Sequence, residues 1–253
     1  MKTKALILTG YGINAQDELA QAFVMAGADT EIRHVQDVVE NPALLSGADY
    51  LGFPGGFSFG DHLGSGRVLA NLFTLKLKKP LFDFVKSGGL IIGICNGFQT
   101  LVKTGLLPGI FQDRQDAGES KPAVSLIHNK QGSFIDTWVP VEFPADTPCV
   151  WTRGLEPRLF PIRHGEGRFV ADAEVLRWLE AEKLVAVRYR ENPNGSQNDI
   201  AGICDRSGRI FGLMPHPEAS IHAEVHPERR RSHEALLGVD IFRNAVAYRE
   251  RLQ

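Results

Sequence analysis

Cys95, His216 and Glu218 are the three side chains whose types and surroundings could together perform nucleophilic chemistry. Cys95 sits within Leu90-Ile91-Ile92-Gly93-Ile94-Cys95-Asn96-Gly97-Phe98-Gln99, with a glycine two positions to either side. A short apolar run after Ser87-Gly88-Gly89 reads as a buried strand, and the helix-compatible stretch 96–103 follows at once. Gly-x-Cys-x-Gly has the form of a nucleophile elbow, a sharp strand-to-helix turn that lifts the nucleophile above the sheet edge. The turn crowds its neighbours, so residues without a Cβ are wanted at Gly93 and Gly97. A helix N-terminus favours an anion by about 0.3–1 kcal/mol, less than the roughly 1.36 kcal/mol that corresponds to one pKa unit. The dipole alone therefore leaves a thiol mostly protonated at neutral pH, and a cationic partner, typically histidine, is required. Without one, the same residues fit an inert buried cysteine equally well.

The partner lies far along the chain, in Gly212-Leu213-Met214-Pro215-His216-Pro217-Glu218. Proline disfavours helical backbone in the residue before it, which predicts extended conformations at Met214 and His216. Side chains two apart in an extended segment point the same way. Glu218 is therefore expected beside His216, a base with its orienting carboxylate.

Taken together, Gly93-Ile94-Cys95-Asn96-Gly97-Phe98-Gln99 and Pro215-His216-Pro217-Glu218 resemble the class I (triad) glutamine amidotransferases. Further blocks in register are Pro54-Gly55-Gly56-Phe57-Ser58-Phe59-Gly60-Asp61, His164-Gly165-Glu166-Gly167, Asn192-Pro193-Asn194-Gly195-Ser196 and Asp199-Ile200-Ala201-Gly202. They narrow the resemblance, over nearly the whole chain, to the glutaminase subunits of phosphoribosylformylglycinamidine synthases. It implies an α/β fold, flavodoxin-like, with a mostly parallel central sheet flanked by helices and an added antiparallel portion. It also implies hydrolysis of L-glutamine to glutamate and ammonia through a glutamyl thioester. In that scheme Cys95 is the nucleophile, His216 the base and Glu218 its orienter. The amides of Gly56 and Asn96 hold the oxyanion, and Phe57, Gln99, His164 and Gly165 surround the glutamine.

The implied partners are a synthase subunit and a small bridging subunit. The synthase subunit binds ATP and Mg and converts formylglycinamide ribonucleotide to formylglycinamidine ribonucleotide in purine biosynthesis. This chain carries no Gly-x-x-x-x-Gly-Lys-Ser/Thr loop, and neither cofactor nor metal is expected in it. Two stretches depart from the family pattern, Gly64-Ser65-Gly66-Arg67 and Ala219-Ser220, and the second puts local partner contacts in doubt. The rival readings are a glutaminase for a different synthase and a non-enzymatic binding or redox-sensing module with an elbow cysteine. A sensor has no need of the Pro-His-Pro-Glu segment.

The bulk properties exclude several classes. A chain of 253 residues with 43% hydrophobic and 23% charged content is ordinary for a globular protein able to bury a sizeable core. With no repeat, low-complexity tract or linker, one domain spanning 1–253 is expected. A net charge of −2 gives no reason to expect nucleic acid or an anionic membrane as partner. Three widely spaced cysteines argue against a disulfide framework and suit a reducing compartment. The apolar run 5–8 is too short for the core of a signal peptide, and no segment approaches the roughly 20 apolar residues of a membrane span. The expected location is cytoplasmic.

The elements that must position the site follow from periodicity. Strands are predicted at 4–9, 30–35, 50–53, 90–94, 124–128, 134–142, 149–154 and 184–189. Helices are predicted at 16–25, 68–77, 80–87, 96–103, 172–182 and 235–252, with 105–118 a loop region. Residues 200–204 and 209–214 bracket Asp205-Arg206-Ser207-Gly208 as a hairpin whose second arm delivers His216. Strand, helix and strand at the N-terminus form a βαβ unit and imply parallel pairing. Cys149 and Cys204, without glycine brackets, read as core residues.

Two patterns invite other chemistry. Gly10-Tyr11-Gly12-Ile13-Asn14-Ala15 fits the dinucleotide fingerprint, with Asp37 as a possible ribose ligand, although simple turn glycines explain it equally. In the resembled family Gly12-Ile13-Asn14 would be a turn near the active-site end of the sheet. His222, His226 and His233 suggest a metal, but the polar surroundings and Arg229-Arg230-Arg231 favour a solvated face.

Overall fold

A computed structural model describes residues 2–109, 123–229 and 237–252. The short apolar runs become the centre of a nine-stranded sheet. β1 (Lys4–Thr9), β3 (Tyr50–Phe53), β4 (Leu90–Ile94) and β11 (Ile210–Leu213) lie side by side in parallel, with β2 (Asp29–His34) outside β1. Every residue of β3, β4 and β11 is buried, the condition that unbroken apolar runs demand of strands covered on both faces. Beyond β11 the sheet turns antiparallel through β10 (Ile200–Cys204), β9 (Val185–Tyr189), β6 (Ile135–Glu142) and β7 (Arg158–His164). β5 (Val124–His128) and β8 (Glu166–Ala171) form a separate antiparallel pair. The mostly parallel sheet with an antiparallel addition is thus present.

Helices cover both faces of the parallel half. Tyr50 packs on Phe23 of α1 (Gln16–Met25), which meets Phe242 of α8 (Val239–Glu250). Phe53, an odd number of residues further along β3, points the opposite way and packs on Phe73 of α4 (Arg67–Lys76). On that second side α6 (Asn96–Lys103) lies against α4 and the β3–β4–β11 trio. Glycines allow the close approach. A Cβ at Gly97 would sit on the Phe53 carbonyl, and one at Gly212 on the Phe98 ring. The remaining helices are α2 (Val35–Glu40), α3 (Ala43–Ser46), α5 (Lys78–Lys86) and α7 (Ala173–Ala181). No helix among the described residues is long and apolar enough to cross a membrane.

The register of β4 on β11 matters most for the site. Ile91 to Ile94 pair in parallel with Ile210 to Leu213, so both strands end level. The Cys95 N–H then donates to the Leu213 carbonyl at 2.8 Å. β7 stands at the far edge of the sheet order, yet the His216 N–H donates to its Pro161 carbonyl at 2.9 Å. The antiparallel half therefore curls round to the end of β11.

Several expectations need correction. Residues 149–154 form a turn, not a strand. Gly208 packs directly under Pro148 and Cys149, Val150 N–H donates to its carbonyl, and the Trp151 ring is spent on the Arg209 carbonyl. The second strand stops at His34, whose Nδ1 accepts from the Gln36 N–H and starts α2. Neither α2 nor α3 follows from the sequence pattern. The last helix begins at Val239, while residues 110–118 of the predicted loop and 235–236 of the predicted helix lie outside the described residues.

Gly97→Ala tests the close approach of α6 to β3. It is expected to destabilise the protein by about 1–3 kcal/mol through overpacking, read as a lower urea midpoint at unchanged m-value. Gly47→Ala, where the nearest atom to a new Cβ is the Leu44 carbonyl oxygen at 3.8 Å, is expected to leave the midpoint unchanged or raise it.

Candidate active site

Cys95 forms the predicted elbow. Its backbone lies at φ 52°, ψ −106°, a combination that L-residues rarely adopt and that costs on the order of 1–3 kcal/mol. The neighbours enforce it, because Leu213 holds its N–H and α6 starts at the next residue, with the Gln99 N–H donating to the Cys95 carbonyl at 3.0 Å. The thiol is 6% exposed and opens on a cavity of about 330 Å³, with His216 beside it.

His216 and Glu218 form the expected pair, reached by a different route. Pro217 opens a 3-10 turn, Pro217–Ser220, and this turn, not an extended segment, carries the carboxylate onto the imidazole. His216 itself lies at φ −108°, ψ 82°, short of the extended conformation the flanking prolines suggest. Nδ1 of His216 lies 2.6 Å from Glu218 Oε1, with both side chains buried. Nε2 has no hydrogen-bond partner. Burial works against a charged His216, but the Glu218 carboxylate and the Cys95 thiol outweigh it, and the pKa is pushed up to about 10. Ser220 is fully buried and its carbonyl accepts from Gly238 N–H at 2.8 Å. The Ala219-Ser220 departure thus packs, at Ser220, against the start of α8 inside the fold.

The two amides expected to hold an oxyanion, those of Gly56 and Asn96, lie beside Cys95 at the end of the sheet. Gly55 O accepts from the N–H groups of Asn14 and Ala15, and Gly12 O accepts from Phe57 N–H. Gly56, at φ +142°, is caught between them, and a Cβ there would meet the Gly12 carbonyl. Its own N–H donates to nothing among the described residues. Asn96 is the first residue of α6, where an N–H has no intrahelical acceptor. The Asn96 side chain ties the two donors together. Its Oδ1 accepts from Ser58 N–H at 3.2 Å, and its Nδ2 donates to Asp61 and to Gln99 Oε1, both at 3.1 Å. In the turn at 10–15 the amides of Asn14 and Ala15 have acceptors within the fold. The amides after Gly12 that would cradle a pyrophosphate are spent on Gly55, and Asp37 lies on α2.

The cavity wall opposite comes from the turn between β7 and β8. His164 is 3% exposed, and its Nδ1 lies 3.1 Å from Asn129 Oδ1. That oxygen also accepts from Gly167 N–H, while Asn129 Nδ2 donates to the carbonyls of Ser133 and His164. The amide orientation is therefore fixed, Nδ1 of His164 must carry its proton, and Nε2 is left as an unpartnered acceptor. Burial, with the His216 charge second, holds His164 down to about 4, so it is neutral at physiological pH. Gln99 Nε2 donates to the Glu166 carbonyl at 2.5 Å. Gly165 lines the cavity and Phe57, half exposed, stands at its rim.

Every site residue expected from the sequence thus borders the cavity or adjoins it. Sequence reasoning missed Asn129, Glu18, Arg163 and Phe134. Arg163 adjoins the His-Gly-Glu-Gly block, and the others carry no local signal. The departure at Ser65 joins the wall, its Oγ donating to Glu166 Oε2 at 2.8 Å. The histidine cluster is not a uniform solvated face. His226 is buried against Trp138 and accepts from Glu228 N–H, whereas exposed His222 meets Gln21. His233 and Arg230-Arg231 lie outside the described residues, and no metal-binding group of His, Cys, Asp or Glu occurs among the described ones. Cys149 and Cys204 are fully buried.

The chain is similar to known proteins along almost its whole length. The family model described as the CobB/CobQ-like glutamine amidotransferase domain matches residues 2–249. The chain is 42% identical to phosphoribosylformylglycinamidine synthase subunit PurQ of Dehalococcoides mccartyi, over 98% of each chain. It is 39% identical to the subunit of that name from Methanococcus maripaludis, over 97% of each. Among solved structures it resembles a chain of PurLQS from Thermotoga maritima, with TM-score 0.74, 30% identity, and coverage of 98% of this chain and 99% of that one.

The raised pKa of His216 sets a pH dependence. A histidine whose folded pKa exceeds its unfolded value contributes stability that is complete below about 6.5 and is lost as pH rises through the folded value, about 10. Glu218→Gln removes the main stabilising charge. The stability gap between wild type and Glu218→Gln is therefore expected to be widest near pH 6 and to narrow steadily toward pH 10 in urea titrations.

Proposed function

The chain belongs to the CobB/CobQ-like glutamine amidotransferase family, and on that premise we propose that it is the glutamine-hydrolysing subunit of a phosphoribosylformylglycinamidine synthase. It works as one glutamine amidotransferase domain over 1–253 within a larger complex. The observation that carries the reading is the buried His216–Glu218 pair, its Nε2 open, beside the elbow thiol.

Glutamine enters with its carboxamide carbon at Cys95. The Cys95 thiolate, paired with protonated His216, attacks, and the carbonyl π pair moves onto oxygen, where the Gly56 and Asn96 amides hold it. Collapse of this intermediate expels the amide nitrogen, which takes the proton from His216 and leaves as ammonia. A γ-glutamyl thioester remains on Cys95. His216 then takes a proton from water, whose oxygen adds to the thioester carbon. Breaking the C–S bond releases glutamate and restores the thiolate beside protonated His216. Glu218 orients the imidazole and stabilises its charged form throughout. His164 Nε2, a fixed acceptor, receives an N–H of the bound amide, and Gln99, Phe57 and Gly165 complete the glutamine pocket.

Ammonia goes to a synthase subunit that makes formylglycinamidine ribonucleotide from formylglycinamide ribonucleotide. ATP and Mg belong to that partner, and this chain needs no cofactor of its own. The PurLQS assembly of the Thermotoga relative supports a complex with a synthase and a small bridging subunit. The cytoplasm is the proposed location, a compartment that keeps the three free cysteines reduced.

Treatment with 6-diazo-5-oxo-L-norleucine, followed by peptide mass spectrometry, is expected to place the adduct on Cys95. Adducts confined to Cys149 or Cys204 would overturn the assignment. His216→Ala is expected to lower glutamine hydrolysis by about 10²–10⁴-fold, with the urea unfolding transition still cooperative. Retention of most activity would remove His216 as base.

A further inference from the structure

At the cavity rim stands an ion pair that bond breaking leaves idle. Arg163 Nη2 lies 2.5 Å from Glu18 Oε2, and the two side chains are 38% and 43% exposed. Both line the cavity whose floor holds Cys95 and His216. As a stabilising contact the pair is worth little, because exposed ion pairs contribute about 0–1 kcal/mol. It is also far from saturated. The guanidinium has five N–H donors, and among the described residues it spends one, on Glu18, whose Oε1 accepts from nothing.

Its placement matches the substrate's length and charge. The Arg163 carbonyl accepts from the Cys95 thiol at 3.9 Å, so the arginine side chain begins at the floor and runs outward to Glu18 on α1. An arginine side chain is longer than that of glutamine, so its guanidinium reaches past a carboxamide held at the thiol to the α-carbon. There glutamine carries a carboxylate and an ammonium, the charges complementary to Arg163 and Glu18. The other carboxylates of the wall are engaged. Asp61 Oδ1 accepts from Asn96 and Gly66, and Glu166 bonds Ser65 and faces His128.

We propose that Arg163 and Glu18 form the head-group subsite, Arg163 binding the α-carboxylate of glutamine and Glu18 its α-ammonium. This rests on the glutaminase reading and makes the pair the determinant of selectivity for a free α-amino acid. Planar two-pronged donation to a carboxylate is what arginine offers and lysine does not. Burial opposes the Arg163 charge, but Glu18 more than compensates and Glu218 and Cys95 add to it, so the cation is always present.

The test compares two electrophiles on the protein reconstituted with its synthase and bridging partners. 6-Diazo-5-oxo-L-norleucine carries the amino-acid head group, whereas iodoacetamide has none. Arg163→Gln and Glu18→Gln are each expected to slow labelling of Cys95 by the first reagent about 10–100-fold, the worth of a hydrogen bond to a charged group. Labelling of Cys95 by iodoacetamide should be unchanged, and Arg163→Lys should recover only part of the loss. For L-glutamine the variants should raise KM and leave kcat near wild type. Equal slowing with both reagents, no slowing with either, or a fall in kcat at constant KM would overturn the subsite. Failure of the wild-type complex to release ammonia from glutamine would instead overturn the glutaminase reading. Protection of buried Cys149 and Cys204 from iodoacetamide reports that each variant is folded.

Discussion

The site depends on the parallel register between β4 and β11. Because Ile94 and Leu213 end level, the thiol at the next position of one strand and the imidazole just beyond the other share one end of the sheet. Two glycines facing each other in that register, Gly93 and Gly212, admit α6 from the same side. A shift by one residue would turn the side chains of β11 to the opposite faces, and Phe98 would lose the space it now fills. Packing of the helix and alignment of the proposed triad are therefore one constraint.

A second layer of control comes from polar groups that spend their bonds on each other. The Asn96 amide joins the glycine loop to the elbow helix, and Gln99 extends the connection to the carbonyl of Glu166. Asn129 does the same for the opposite wall, fixing which nitrogen of His164 holds its proton. In a low-dielectric interior such fully connected networks hold a single arrangement. What they leave open is as informative. Among the atoms without partners are Nε2 of both buried cavity histidines, each aimed at the chemistry proposed for it.

Much of this was legible in the sequence, and for identifiable reasons. The elbow announces itself because buried strand, glycine brackets and helix start are all local features. The His216–Glu218 pairing was foreseen from two prolines, but by the wrong geometry, since a 3-10 turn and an extended strand both bring i and i+2 within reach here. Residues 149–154 looked like a strand because apolar content alone does not reveal that Gly208 packs beneath them. Asn129 and Glu18 gave no signal at all. Each acts on a residue far away in the chain, 35 positions for Asn129 with His164 and 145 for Glu18 with Arg163. Such pairings emerge only when the antiparallel half of the sheet curls back on the parallel one.

The left-handed backbone at Cys95 has an evolutionary consequence. Glycine would occupy φ 52°, ψ −106° with less strain than any other residue. Drift under selection for thermal endurance alone would replace this cysteine with glycine. A lineage that kept this protein only as a scaffold for its partners would be expected to lose the cysteine early. A cysteine kept at this bend costs the fold stability that the proposed chemistry would repay.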